Sequence, residues 1–85
     1  MAEIEVGVVI HYFGKIGVAA VRVTAGDIKV GDTIRVKGHT TDLTLTIASI
    51  QMEHGSVPSA RAGDDVGIKV PGIAREHDAV FKIVD

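Results

Sequence analysis

The chain has 85 residues, enough for one domain with a single core, so we predict one domain over residues 1–85. A net charge of −2 does not require a polyanionic partner, and the lack of cysteine excludes disulfides, thiolate catalysis and zinc–thiolate sites. The sequence contains no basic and apolar leader and no apolar run of membrane length, so we expect a soluble cytoplasmic protein without membrane contact.

Alternating apolar residues predict strands in the first half of the chain, where no helical period is found. Glu3–Tyr12 is the first predicted strand, with one apolar face and one face exposed to solvent. Its apolar face consists of Ile4, Val6, Val8, Ile10 and Tyr12. Gly17–Ala25 is the next strand. Gly26–Gly38 then contains a short apolar alternation at Ile28 and Val30, a Gly-Asp turn at Gly31 and Asp32, and a further strand.

The second half of the chain continues the same alternation. Leu43–His54 is the longest predicted strand. The alternation of its apolar residues shifts by one position after Ile47, which indicates a β-bulge near Ala48 and Ser49. We predict a loop over Gly55–Gly63. Two strands complete the chain: Asp65–Val70 and Ala79–Val84. These strands predict an all-β fold, a small closed six-stranded antiparallel Greek-key barrel, because closure removes exposed edges.

Three glycines have predicted structural roles. Gly31 and Gly63 each precede aspartate in a turn, where a positive φ is commonly needed. Gly67 lies inside a predicted strand, which indicates a bend or a close approach of a neighbouring strand. We find no linker, low-complexity tract or internal repeat in the sequence.

Two motifs carry a family resemblance. The run GVAAVRVTAGDIKVGDTIRVKG from Gly17 to Gly38 has a strand ending in Arg-Val, followed by a Gly-x-Ile-Lys-Val-Gly-Asp turn. The run RAGDDVGIKVPGIAREHD from Arg61 to Asp78 has an Arg-Ala-Gly-x-x-Val-Gly signature. In this order they resemble the β-barrel second domain of translational GTPases such as elongation factor Tu, and the likeness extends over Glu3 to Asp78.

The chain resembles a stand-alone copy of that second domain, without the GTPase domain. It has no Gly-x4-Gly-Lys-Ser/Thr phosphate loop and no Asn-Lys-x-Asp motif for reading guanine. A phosphate loop needs its backbone donors and its lysine to hold phosphates, so we do not expect GTP binding.

The resemblance implies recognition of the 3′-terminal adenosine and aminoacyl group of charged tRNA. By position, the adenosine-contacting glutamate of the family falls on Gln51, and the neighbouring Met52 is matched. The aminoacyl-facing backbone of the Arg-Ala-Gly turn falls on Asp65. Glutamine in place of glutamate keeps a hydrogen-bond acceptor for a ribose hydroxyl but removes the charge.

Tyr12, Phe13 and Lys15 form a candidate cluster in the first loop, which differs from the family pattern. An exposed aromatic ring beside a cation can stack a base and pair with a phosphate. The alternative is that Tyr12 and Phe13 plug one end of the barrel. Arg61, which the family retains, is a candidate for phosphate contact, or else it hydrogen-bonds carbonyls of its own loop.

Other charged residues give weaker signals. Interspersed acids favour an ordinary mixed surface over a phosphate-binding stripe. The possible stripe consists of Arg22, Lys37, Arg61, Lys69 and Arg75. The histidines have no metal-binding spacing. They are His11, His39, His54 and His77. Asp64 and Asp65 are adjacent, so on a strand they point to opposite faces and cannot jointly flank a substrate.

We therefore predict a non-catalytic binding module without cofactor or metal, associated with translation and binding RNA. The RNA would be a tRNA acceptor end or a ribosomal element, contacted by Tyr12, Phe13, Lys15, Gln51, Arg61 and Asp65. The alternative is a protein-docking or structural barrel that does not bind RNA. Glu3, Glu5, the negative net charge and the glutamine at position 51 favour that alternative.

Overall fold

A computed structural model describes residues 2–53 and 55–85, which form ten β-strands and no helix. The strands are β1 (Ala2–Phe13), β2 (Val18–Val23), β3 (Asp27–Lys29), β4 (Thr33–Lys37), β5 (Asp42–Thr46), β6 (Ile50–Met52), β7 (Gly55–Val57), β8 (Ser59–Arg61), β9 (Asp65–Lys69) and β10 (Ala79–Val84). In these residues there is also no helix with the length and apolar character needed to cross a membrane. The predicted all-β class is confirmed.

Eight strands form one antiparallel sheet in the order β5-β4-β10-β1-β2-β9-β6-β7, and β3 pairs with β8 as a separate ribbon. Within the described part of the chain, no ladder joins the edge strands β5 and β7. The prediction of a closed six-stranded barrel is therefore wrong in strand number and in closure. The ribbon covers the core instead, because Ile28 of β3 and Ala60 of β8 are buried in the same cluster as the sheet residues.

The core is built from β-branched aliphatic side chains on the inner face of the sheet and ribbon. Those that are almost completely buried are Val9, Val21, Val23, Ile28, Ile34, Val36, Ile47, Ile50, Ile68 and Val80. Burying one such side chain contributes about 1.5–3 kcal/mol relative to exposure, so this cluster is the main source of stability.

Strand β1 does not keep the single apolar face predicted for Glu3–Tyr12. Val6 and Val9 are buried, whereas Val8 is half-buried and Ile4 is 52% exposed. The pairing register shifts between residues 5 and 7 against β10, and between residues 9 and 11 against β2. Each shift reverses which side chains face the core, because the side-chain period of a strand is two residues.

The predicted long strand Leu43–His54 is also wrong. It is divided into β5 and β6 because the backbone of Ile47 bonds to the turn before β4: Gly31 N–H donates to Ile47 O, and Ile47 N–H donates to Asp32 O, both at 2.9 Å. The predicted bulge near Ala48 and Ser49 is thus a break between strands. His54 lies outside the described residues, and the predicted loop 55–63 contains β7 and β8.

Two turns of the same geometry follow the ribbon strands. In the first, Lys29 N–H donates to Asp32 Oδ2 at 2.9 Å and Asp32 N–H donates to Lys29 O at 3.0 Å. In the second, Arg61 N–H donates to Asp64 Oδ2 at 3.1 Å and Asp64 N–H donates to Arg61 O at 3.0 Å. The positive φ predicted for the two turn glycines is confirmed, with 97° at position 31 and 100° at position 63.

The strand register extends this repeat to the whole sheet. Strands β5, β4, β10 and β1 (half A) have the same order, direction and pairing as β2, β9, β6 and β7 (half B). Position 35 of β4 corresponds to position 67 of β9, and position 82 of β10 to position 52 of β6. The structure therefore contains an internal repeat that we did not find in the sequence, because few side chains are shared between the halves.

Candidate functional site: a groove on the outer face of half B

A groove of about 430 Å³ lies on the outer face of the sheet, over half B and the adjoining end of β1. It is lined by Phe13, Ala20, Gln51, Met52, Glu53, Asp65, Val66 and Gly67. Three residues predicted from the sequence to contact RNA, Phe13, Gln51 and Asp65, are thus brought to one site from β1, β6 and β9.

The floor of the groove is formed by the two smallest side chains of one row across the sheet. Gly67 pairs with Ala20 on one side and with Gln51 on the other. A Cβ atom at position 67 would lie 3.2 Å from Val18 Cγ1 and 3.8 Å from Gln51 Cβ. The close backbone approach predicted for Gly67 is not found, because the nearest backbone atom to that Cβ, Gln51 O, would lie 4.0 Å away and the tight contact is with a side chain. The missing side chain of Gly67 instead leaves the backbone of β9 open to a ligand.

Phe13 forms an aromatic wall of the groove. Its ring is 46% exposed, and it packs edge-on against the His11 ring with a centroid distance of 4.5 Å and an interplanar angle of 68°. The outer face carries a cation nearby, because Phe13 pairs with Val18 and Val18 pairs with Lys69. This arrangement places an exposed π surface and an ammonium group on the same face, as in sites that hold single-stranded nucleic acid.

Gln51 forms the opposite wall. Its Nε2 donates to Ser56 Oγ at 2.8 Å across the β6–β7 pair. That bond fixes the amide group, and it leaves the carbonyl oxygen of the side chain as a hydrogen-bond acceptor. The wall therefore presents a neutral polar group next to an apolar floor.

One end of the groove is closed by an ion pair between neighbouring strands. Arg22 Nε lies 2.9 Å from Asp65 Oδ1, and its Nη2 lies 3.2 Å from Oδ2. These hydrogen bonds, with the positive charge of Arg22, lower the pKa of Asp65 and raise that of Arg22. Asp65 is thus an ionised side chain already occupied by a partner, so its carboxylate is not free to act as an acid or base.

The other predicted site residues lie away from the groove. Tyr12 packs partly buried against the core, and its ring lies 3.6 Å from where a Cβ of Gly14 would be. The plugging alternative therefore describes Tyr12 but not the exposed Phe13. Lys15 is exposed on the turn after β1. The predicted cluster is split because consecutive residues of a strand face opposite sides.

Arg61 lines a second cavity of about 380 Å³ at the ribbon. The cavity is formed by Asp27, Ser59, Ala60, Arg61 and Asp64. Two of these five residues are acidic, and Asp64 Oδ2 accepts a hydrogen bond from the backbone N–H of Arg61 at 3.1 Å. The cavity is therefore lined by both signs of charge. In the described residues no three His, Cys, Asp or Glu side chains are close enough to hold a metal ion.

Sequence reasoning missed the floor of the groove and one of its neighbours. Ala20 and Gly67 have no chemical groups that would mark them, although a glycine inside a strand was a usable signal. His11 lies next to Ala20 in the same row, and only the pairing of β1 with β2 reveals this.

The family described as elongation factor Tu domain 2 matches residues 17–80, which is more than half of the chain. The chain belongs to this family. The resemblance found in the two sequence motifs is thus confirmed.

Two curated relatives are proteins that are named as proteases. The chain is 36% identical over 80 residues to an uncharacterized protease of Methanocaldococcus jannaschii, covering 93% of this chain and 19% of the relative. It is 31% identical over 81 residues to a collagenase of Porphyromonas gingivalis, covering 94% of this chain and 20% of the relative. The chain therefore spans about a fifth of the length of these relatives.

Solved structures share the fold. The C-terminal domain of a Geobacillus thermoleovorans protein described as a U32 peptidase matches with a TM-score of 0.86 and 25% identity, covering 96% of this chain and 93% of that one. GDP-bound aIF5B from Aeropyrum pernix matches with a TM-score of 0.69 and 21% identity, covering 98% of this chain and 16% of that one. The second similarity concerns the fold alone.

Proposed function

We propose that this domain is a non-catalytic RNA-binding module whose groove holds one unstacked nucleotide, such as the end of a tRNA acceptor strand or a looped-out ribosomal base. The observation that carries the proposal is the groove on half B, where an exposed phenylalanine adjoins a floor of alanine and glycine. A flat base has room above such a floor and can stack on the aromatic wall. Membership of the domain 2 family supports it further.

In this proposal, Phe13 stacks the base and Gln51 bonds to a base edge or ribose hydroxyl. Lys69 supplies positive charge for the phosphate of the bound nucleotide, and Lys15, outside the groove on the turn after β1, for a phosphate further along the strand. Arg61 belongs to the second cavity and contributes only to the general positive potential. The role requires no GTP, metal or other cofactor, and we assign it to the cytoplasm, where tRNA and ribosomes are found. In a longer protein of the U32 type, the module would present RNA to the remaining domains.

The test is fluorescence anisotropy with a labelled tRNA and with a short single-stranded RNA at several salt concentrations. We expect dissociation constants of roughly tens of micromolar or tighter that weaken as salt increases. Phe13→Ala removes the stacking surface and should weaken binding about tenfold or more. Ile73→Ala is the matched control, because Ile73 is an exposed apolar side chain that does not line the groove.

Gly67→Arg gives the sharper result, because it fills the groove with the residue that half A carries at the same position. We expect binding to weaken at least about tenfold even though the added charge alone would attract RNA. Ala48→Arg adds the same charge on the exposed connection between β5 and β6 and should not weaken binding. If neither RNA binds in a salt-dependent manner at tens of micromolar, the proposal is wrong.

A second candidate function is docking of an extended peptide in the same groove. It is favoured by the names of the two curated relatives, both proteases, and by the negative net charge. Binding of a peptide library that is insensitive to salt, and is lost in both Phe13→Ala and Gly67→Arg, would support docking over RNA binding.

A further inference from the structure

His11 stands at the edge of the groove in a row that crosses four strands. It pairs with Ala20, Ala20 pairs with Gly67, and Gly67 pairs with Gln51. Adjacent strands are about 4.8 Å apart, so the backbones of His11 and Gln51 are separated by about 14 Å across the floor. His11 is exposed, and its place in the register puts it on the same outer face as Gln51, with Ala20 and Gly67 between them.

Two neighbours fix the imidazole of His11. Its Nδ1 lies 3.5 Å from Glu76 Oε2, on the segment between β9 and β10, and its ring packs edge-on against Phe13. A carboxylate beside one ring nitrogen favours the tautomer with the proton on that nitrogen. Nε2, at the opposite edge of the ring, is then available as a hydrogen-bond acceptor for a ligand.

We infer that His11 is a specificity-determining residue of the groove, which reads the edge of the bound base through Nε2, and that Glu76 is its positioning residue. The inference rests on the proposed RNA-binding function. Gln51 offers an amide on one side and His11 offers a ring nitrogen on the other. A base above Ala20 and Gly67 is therefore read from two sides, and the chemical class of ligand is an unstacked nucleotide of single-stranded RNA.

A purely structural role for His11 is the packing of its ring against Phe13, and the two roles can be separated by substitution. His11→Phe keeps an aromatic ring beside Phe13 and removes both ring nitrogens. His11→Gln keeps a hydrogen-bonding group and removes the ring. Glu76→Gln keeps the shape of the positioning residue and removes its charge.

The experiment measures binding of a 5′-UUXUU-3′ RNA series, with X being A, C, G or U, by fluorescence anisotropy. We expect the unaltered protein to prefer one X, and His11→Phe to reduce that preference by roughly tenfold, which is the worth of one hydrogen bond. His11→Gln should restore part of the preference, and Glu76→Gln should reduce it less than His11→Phe does. His39→Phe is the matched control, because His39 is an exposed histidine outside the groove.

The outcomes distinguish this inference from the proposed function. If the unaltered protein binds none of the four RNAs, the proposed function is overturned and this inference with it. If it binds and His11→Phe keeps the same base preference, only the role of His11 is overturned. Thermal unfolding of each variant verifies that it is folded. If His11→Phe does not fold, the inference is tested with His11→Gln and Glu76→Gln, and it is overturned if neither changes the base preference.

Discussion

At the centre of half A, the outward position of β4 carries Arg35; at the corresponding position of β9, half B carries Gly67. Arg35 covers its part of the sheet, because it donates to Asp42 at 2.9 and 2.8 Å and to Glu3 at 2.9 Å. In half B the residue paired with Gly67 on β2 is Ala20, and among the residues that the structure describes the ion pair of this half, Arg22 with Asp65, lies at the end of the groove and not on its floor. The groove is the place where the same backbone lacks this cover.

The two halves therefore share their backbone geometry but differ in the side chains that cover the outer face of the sheet. Both halves repeat the turn with an aspartate cap and the bonds from the turn to the end of a strand: Gly63 N–H donates to Val23 O at 2.8 Å, as Gly31 N–H donates to Ile47 O. These backbone hydrogen bonds align the neighbouring strands in each half, and they do not depend on which side chains point away from the core. A site can therefore develop in one half without loss of the fold in the other.

The largest expected loss of stability comes from replacing Gly38 of half A by valine, the residue at the corresponding position of half B. Gly38 corresponds to Val70, which is buried in the core. A Cβ at position 38 would overlap Asp78 Oδ1, and the buried Asp78 is held by a bond of 2.8 Å from Arg75 N–H to its Oδ2. Gly38→Val should cost more than about 3 kcal/mol of unfolding free energy.

Urea denaturation measures this effect, with Gly14→Val as the control. Gly14 is exposed, has an ordinary contact at 3.6 Å as its nearest neighbour and does not have a positive φ. A Gly38→Val protein as stable as the control would show that Asp78 can leave its place without cost.

The next effect concerns Lys82 of half A, which corresponds to Met52 of half B. Lys82 Nζ lies 3.3 Å from Asp32 Oδ2 and donates to Asp27 O at 3.2 Å, with a side chain that is only 19% exposed. Lys82→Met leaves Asp32, whose side chain is 12% exposed, without its cation. We expect a loss of about 1–3 kcal/mol.

Thermal and urea unfolding measure this loss, and Lys29→Met is its control because Lys29 is an exposed cation at the end of β3, the strand whose Asp27 Lys82 contacts. Equal stability of the two variants would show that the partly buried pairs of Lys82 contribute no more than a surface charge.

The third prediction compares the two repeated turns. Gly31→Ala and Gly63→Ala should each cost about 1 kcal/mol, because alanine is strained at their positive φ angles. Apart from the adjacent residues in the chain, no atom of the described residues lies within 4 Å of a Cβ at either position, so backbone strain is the expected cause of the loss. Differential scanning calorimetry should give similar losses for both variants, and asparagine, which tolerates positive φ, should be milder. Clearly unequal losses would contradict the equivalence of the turns.

The smallest effect is a pH dependence that differs between the halves. Hydrogen bonds from Arg35 lower the pKa of Asp42, as those from Arg22 lower the pKa of Asp65. A carboxylate with a lowered pKa in the folded state stabilises the protein above its unfolded pKa, and this contribution disappears as the pH falls through the folded pKa. Both contributions are therefore present at neutral pH and lost in acid, below about pH 4.

Acid unfolding followed by circular dichroism tests this difference. Arg35→Met should reduce the difference in unfolding free energy between neutral and acid pH more than Arg22→Met does, because the Arg35 side chain is 26% exposed, against 55% for Arg22, and its pair with Asp42 is less screened by solvent. Both effects should be weaker in 0.5 M NaCl, since these side chains are exposed to solvent. A larger change for Arg22→Met would contradict the comparison.

Part of the site could be predicted from the sequence. The family motifs directed attention to Gln51 and Asp65, and the aromatic residues beside Lys15 directed it to Phe13. Tyr12 and Phe13 could not be separated, because the bulge in β1 that decides which of them faces the core depends on pairing with β2 and β10. The phosphate contact of Arg61 stays a prediction, because a motif gives the identity of a residue, whereas its place at the second cavity depends on the pairing of β3 with β8.

By itself, the sequence determined the all-β class, the family and the two Gly-Asp turns, because apolar alternation and the need for a positive φ are local properties of the chain. Only the tertiary structure decided that Leu43–His54 is two strands, that the sheet stays open, and that two four-stranded halves repeat. Those features depend on hydrogen bonds between residues far apart in the sequence, such as those of Ile47 with the turn at Gly31. The groove has the same origin: Ala20, Gly67 and Gln51 become one surface only when β2, β9 and β6 pair.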